Sequence, residues 1–147
     1  MKDVDGVEIL LVEDNPHDAE LALRAFGSRN VANRIIVVED GQEALDFLFA
    51  GGAHAARAGA RPPRVVLLDV KLPKVSGFEV LRAIRSDART RETPVVMVTS
   101  SHEDPDIRAA YALGANSYVV KPVEFDAFME AMGGVGFYWL MLNRRPV

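Results

Sequence analysis

The stretch VVLLDVKLPKVSGFEVL, Val65 to Leu81, contains a complete structural unit. Val65 to Leu68 is a short, continuous apolar run, the pattern of a strand buried on both faces of a parallel sheet. Asp69 ends it. Pro73 and Gly77 then interrupt the chain. After them Gly77, Val80, Leu81 and Ile84 recur at i, i+3, i+4, i+7, which predicts an amphipathic helix. A carboxylate therefore stands where a buried strand gives way to a loop and a helix.

Working outward, four more runs have the same character: Val7 to Val12, Ile35 to Val38, Val95 to Val98 and Tyr118 to Val120. Helical periods separate them. Ala19, Ala22, Leu23 and Phe26 form one face; Ala44, Leu45 and Leu48 form another within residues 43–50; Ile107, Ala110, Tyr111 and Gly114 form a third. Asn15-Pro16 and Asp104-Pro105 each read as an N-cap followed by proline at the first helical position, and Asp18 sits in a first turn, where the helix dipole favours an acid. Gly51 to Arg64 reads as a loop whose glycines argue against a helical turn. Five βα units in succession predict an α/β domain with a five-stranded parallel, doubly wound sheet and helices on both faces. In such sheets ligands bind beyond the carboxyl ends of the strands.

Composition narrows the function. The 147 residues carry 17 Lys+Arg against 21 Asp+Glu, a net charge of −4, with 49% hydrophobic residues, and this size suits one domain. There is no basic stripe to displace counterions from phosphates, which argues against direct nucleic-acid binding. Cysteine is absent, which removes disulfides and thiolate chemistry. No apolar run is long enough to span a bilayer. The acidic N-terminus lacks a signal-peptide core, so a cytoplasmic location and no membrane association are expected.

The strand ends carry the chemistry. Glu13 and Asp14 follow the first strand, Asp69 the third, Thr99 and Ser100 the fourth, and Lys121-Pro122 the fifth. On one sheet edge these place three carboxylates, a hydroxyl and an ammonium together. Two carboxylates about 4 Å apart repel by roughly 4 kcal/mol at an effective dielectric near 20, so three of them need a countercation. With hard oxygens and no His or Cys in the set, the expected metal is Mg²⁺, with Mn²⁺ the alternative. A carboxylate beside such an ion can attack phosphorus, as in aspartyl-phosphate enzymes.

These residues resemble the receiver domain of two-component response regulators. The matching runs are LLVEDN at Leu10 to Asn15, LLDVKLPKVSGFEVL at Leu67 to Leu81, VTSS at Val98 to Ser101, and LGANSYVVKP ending at Pro122. NPHDAEL at Asn15 to Leu21, DGQEALDFL at Asp40 to Leu48, the long loop before the third strand, and FYWLMLN at Phe137 to Asn143 further resemble the single-domain regulators associated with bacterial phytochromes. The resemblance implies the flavodoxin-like (βα)5 receiver fold. It implies Asp69 as the phospho-accepting residue. Asp14 is then a direct metal ligand, Glu13 acts mainly through water, and Lys71 contributes its backbone carbonyl. It implies Thr99 and Lys121 as the groups that stabilise the phosphoryl, and Thr99 with Tyr118 as the switch pair. Pro122 matches a proline that commonly follows a cis peptide bond. Lys71 and Ser101 match positions bordering the path of the hydrolytic water. Read without the resemblance, Thr99 is a helix-entry cap and Tyr118 a strand aromatic; His17, His54 and His102 are loop residues.

The implied function is a phosphorylation-dependent switch loaded by a partner sensor histidine kinase, with a bacteriophytochrome as the candidate. It is not an enzyme beyond its own phosphoryl transfer and autodephosphorylation. Only 25 residues follow Pro122, so no output domain is expected and the signal must leave through a surface. The last helix, about residues 123–143, is an apolar extension of a single receiver domain spanning 1–147. Phe125, Phe128, Met129 and Met132 form its core-facing stripe, and the Gly133, Gly134 and Gly136 cluster weakens it. Phe137, Tyr138, Trp139 and Leu142 supply an exposed patch for an isologous homodimer. Two alternatives remain: a pseudo-receiver adaptor, and a phosphohydrolase with an aspartyl-phosphate intermediate. The latter class places a second Asp two residues after the nucleophile, where this chain has Lys71.

Overall fold

The computed structural model describes residues 7–28 and 34–144. The acidic N-terminal run at 1–6, and Arg145, lie outside the described residues. Five strands form one parallel sheet: β1 Ile9–Val12, β2 Ile35–Val38, β3 Val65–Leu68, β4 Val95–Thr99 and β5 Ser117–Val120, in the order β2-β1-β3-β4-β5. The helices between and after them are α1 Pro16–Ser28, α2 Gly41–Phe49, α3 Gly77–Ser86, α4 Asp104–Ala112 and α5 Phe125–Phe137. Chain order reverses beside β1 and β3, so their carboxyl ends open the crevice where this architecture binds ligands.

Alternation along the three central strands sorts the core into two layers. Leu10, Val12, Val66, Leu68, Val95 and Met97 face one side and meet Ala44 and Phe47 of α2, Val80, Leu81 and Ile84 of α3, and Ala110 of α4. Ile9, Leu11, Val65, Leu67, Val96 and Val98 face the other and meet Ala19, Ala22 and Phe26 of α1 and Phe128 and Met132 of α5. Both faces are covered, which is why these strands read as unbroken apolar runs.

The helix ends follow local chemistry. Asn15 Oδ1 accepts from the His17 and Asp18 N–H groups, Asp40 Oδ1 from Glu43 N–H, Ser76 Oγ from Glu79 N–H, and both Glu124 carboxylate oxygens from α5 N–H groups. At α4 the expectation is off by one. Glu103 holds the cap position without a side-chain bond, and Asp104 is the first helical residue.

Several apolar faces are narrower than the periodicity predicts. Leu23, Tyr111 and Phe125 are exposed, Phe125 at 52%. Phe125 opens α5 in its first turn, and only from Phe128 onward does this face reach the sheet. Val7 is buried but precedes β1, which begins at Ile9.

The expected loop at 51–64 contains a 3-10 turn, Gly52–Arg57, bent at His54. Two side chains anchor it. The Arg57 guanidinium lies 3.6 Å over the Phe47 ring and donates to the Phe47 carbonyl, while His54 meets the same ring edge-on and its Nε2 is 3.3 Å from Glu43 Oε2. The glycines that argued against a turn supply its entry, Gly52 adopting a positive φ.

At the other end, α5 keeps Gly133 and Gly136 buried and runs into a wider π-type turn, Tyr138–Leu142. There Leu140 is buried and Trp139 packs partly against the core, leaving Phe137, Tyr138, Met141 and Leu142 exposed. No helix among the described residues is long and apolar enough to cross a membrane.

Candidate functional site

Glu13, Asp69 and Lys121 lie at the carboxyl edge of the sheet because each directly follows a strand, while Thr99 ends β4, Tyr118 lies within β5, and Phe137, Tyr138, Trp139 and Leu142 stand apart at the end of α5. Glu13 and Asp69 follow the adjacent strands β1 and β3, and an Asp69 N–H bond to the Val12 carbonyl carries the pairing one residue past the strand. A carboxylate oxygen from each of Glu13, Asp14 and Asp69 lies within 4.8 Å of the others. Glu13 and Asp69 are buried, 5% and 8% exposed, and Asp14 is exposed.

Lys121, brought over from β5, spans this group. Its Nζ is 2.5 Å from Glu13 Oε1, 3.2 Å from Asp69 Oδ2 and 3.2 Å from Asp18 Oδ2. Its side chain is 9% exposed. Burial alone would lower the lysine pKa, but Glu13 and Asp69 outweigh it and hold the ammonium charged. For Glu13, burial is the largest influence and raises its pKa against the pull of Lys121. The ammonium thus supplies one of the positive charges that the clustered carboxylates require, through Glu13 and Asp69.

Thr99 ends β4 and is buried at 1% exposure, its Oγ1 accepting a 3.3 Å bond from Ser101 N–H. Tyr118 is partly buried, and its hydroxyl donates to the Ser101 carbonyl at 2.8 Å. Burial raises the phenol pKa. Ser101 Oγ in turn donates to Asp106 Oδ2 at 2.5 Å, tying this loop to the first turn of α4. The Lys71 N–H points to Asp69 Oδ1 at 3.3 Å and its side chain is exposed. His17 and His102 are exposed; His102 lies in a loop as expected, whereas His17 is in the first turn of α1 and not in a loop.

One implied feature is absent. No peptide bond among the described residues is cis, the Lys121–Pro122 bond included, and Lys121 reaches the carboxylates through a trans bond. Two contributors were missed. The sequence marks Asp18 only as a first-turn acid, yet it bonds Lys121, and it marks nothing at Asp106, which holds Ser101. The signal for Asp18 was available, because the first turn of a helix following β1 must rise beside the sheet's carboxyl edge.

The loop that bears Asp69 is held by backbone contacts that exclude side chains. A Cβ on Gly77 would lie 2.0 Å from the Asp69 carbonyl oxygen, and one on Gly41 1.8 Å from that of Val75. Gly41 N–H also donates to the Pro73 carbonyl, which joins the start of α2 to this loop.

As a donor set the three carboxylates suit a hard, oxygen-seeking divalent cation, and their mutual approach leaves them in need of positive charge. The response regulator receiver domain family matches residues 9–133 of this chain. A probable methanogenesis regulatory protein, FilR2 of Methanothrix harundinacea, is 44% identical over 140 residues, covering 94% of this chain and 86% of the relative. The crystal structure of the phosphorylated cyanobacterial phytochrome response regulator RcpA superposes with a TM-score of 0.88 at 34% identity, covering 97% of this chain and 99% of that one. The Mn²⁺-bound form of response regulator Rcp1 gives 0.87 at 31% identity, covering 96% and 99%.

Proposed function

The chain belongs to the receiver domains of two-component response regulators, a phosphorylation-dependent signalling family, and from that premise we propose that Asp69 accepts the phosphoryl group. The observation that carries the assignment is Lys121, whose ammonium joins Asp69 to Glu13 at the end of the two central strands. In the transfer an Asp69 carboxylate oxygen attacks phosphorus on a phosphohistidine of the partner kinase. The P–N bond breaks, its electron pair returns to the imidazole, and an acyl phosphate forms on Asp69. Receiver domains bind a divalent cation. Here Mg²⁺, or Mn²⁺ as in the Rcp1 structure, would be held by Glu13, Asp14, Asp69 and the Lys71 carbonyl and would neutralise phosphoryl charge.

The chain's own groups do the rest. Lys121 pairs with a phosphoryl oxygen and Thr99 moves its hydroxyl to another. The Ser101 contacts of Thr99 and Tyr118 then rearrange, which carries the change to α4 through Asp106. Receiver proteins are signalling proteins and not enzymes in the ordinary sense. The only catalysis assigned to this one is its own phosphorylation and autodephosphorylation.

The protein acts in the cytoplasm, and its partner is a sensor histidine kinase of the phytochrome class, a reading supported by the likeness to RcpA. The receiver is a single domain across 1–147, and the exposed apolar side chains Phe137, Tyr138 and Leu142, with the half-buried Trp139, form a homodimer contact. The test of the phosphoryl assignment is intact mass after incubation with acetyl phosphate and Mg²⁺. One added phosphoryl group, lost with chelator and in Asp69→Asn, is expected. No adduct on the folded protein would turn the reading to a pseudo-receiver.

A further inference from the structure

We infer that Asp18 is a positioning residue for Lys121, holding the ammonium aside when a divalent cation enters among Glu13, Asp14 and Asp69. The inference deepens the receiver reading and rests on it. Lys121 has three acidic partners, and only two of them belong to the cation-binding group. Glu13 and Asp69 do; Asp18 is not part of that cluster of oxygens.

A cation on Glu13 and Asp69 repels an ammonium 2.5–3.2 Å from the same carboxylates. The ammonium cannot simply move into water, since its side chain is 9% exposed. Asp18 offers a partner outside that cluster, already in contact at 3.2 Å, and its side chain is 27% exposed. Its backbone is fixed as well, because the Asn15 cap accepts its N–H at 3.2 Å. Asp18 therefore lowers the cost of separating Lys121 from the two carboxylates that a cation needs. In Asp18→Asn the ammonium falls back on Glu13 and Asp69 and competes directly with the metal.

The test is Mn²⁺ titration of the full chain, read by electron paramagnetic resonance at fixed pH and ionic strength, with far-UV circular dichroism as the fold check. Asp18→Asn should raise the Mn²⁺ Kd at least about threefold, the scale of a partly exposed ion pair, and Asp18→Glu should restore it. In a Lys121→Met background the same Asp18→Asn change should alter Kd less than about twofold, because the group it acts through is gone. An unchanged Kd in the Lys121 protein overturns the inference. So does an equal fold-change in both backgrounds, which would make Asp18 a long-range charge and no more. Neither result touches the assignment of Asp69. Absence of Mn²⁺ binding by the unsubstituted chain, together with a phosphoryl adduct that survives in Asp69→Asn, would remove the receiver site and this inference with it.

Discussion

Removing the Lys121 ammonium while keeping an unbranched stem of four heavy atoms, as in Lys121→Met, separates its structural role from its signalling one. It leaves Glu13 and Asp69, 5% and 8% exposed, facing each other without the cation that sits 2.5 and 3.2 Å from them. Removing one partner of a buried ion pair costs about 3–5 kcal/mol. Glu13 relieves part of this, since burial already raises its pKa and it takes up a proton more readily once Lys121 is gone. A loss of about 3 kcal/mol in chelator is therefore expected. With a urea m-value of about 2 kcal/mol/M, the unfolding midpoint falls by about 1.5 M. The pH trend has a definite sign. A carboxyl whose folded pKa is raised contributes stability that is present below its unfolded value and lost as pH rises through the folded one. The deficit of the variant should therefore be larger at pH 8 than at pH 5. Saturating Mg²⁺ should close about half of the gap at pH 8, which requires the variant's site, free of the competing ammonium, to bind the ion about tenfold more tightly than the unsubstituted protein does. Equal midpoints in chelator, or a gap that Mg²⁺ leaves unchanged, would refute the reasoning.

Other predictions follow from single residues. Arg85 donates to the Gly114, Thr93 and Arg91 carbonyls and to Asn116 Oδ1, joining α3 to two loops, so Arg85→Ala should cost about 2–4 kcal/mol in urea melts. Gly77→Ala must displace the Asp69 carbonyl, 2.0 Å from the added carbon. It should lower stability by about 1–3 kcal/mol and slow acetyl phosphate loading, whereas wild-type values in both would refute the close approach. Trp139→Ala should shift the protein towards monomer in sedimentation, and unchanged mass with a native fold would remove the helix-end interface. Tyr118→Phe should cost about 1 kcal/mol through loss of its 2.8 Å bond to Ser101, and an unchanged melt would show that the hydroxyl contributes nothing at rest.

The central strands were legible because both faces are buried. Four strands match their sequence bounds to within one residue, and two of these, β2 and β3, match in full. The site was legible for the same reason, since residues directly following such strands must share one edge. Outer helix faces were less so. Leu23 and Tyr111 fit the helical period but lie at the margin of their stripes, where period alone does not say how far the sheet extends. The 3-10 turn depends on Arg57 and His54 meeting Phe47, contacts between segments that local composition does not encode. Arg85, which nothing in the local sequence singles out, is a tie between distant loops for the same reason. For Asp18 the dipole accounts for its presence, and its place in the first turn beside the sheet's carboxyl edge is what brings it to Lys121.

The most direct test of the account is to locate the phosphoryl group. Acetyl phosphate loading with Mg²⁺, followed by borohydride reduction, converts an aspartyl phosphate to homoserine, which peptide mass spectrometry assigns to a residue. The account predicts homoserine at position 69 alone, in the peptide that carries LLDVKLPK. Homoserine at position 14, or reduction at no aspartate in a folded and metal-loaded protein, would contradict it.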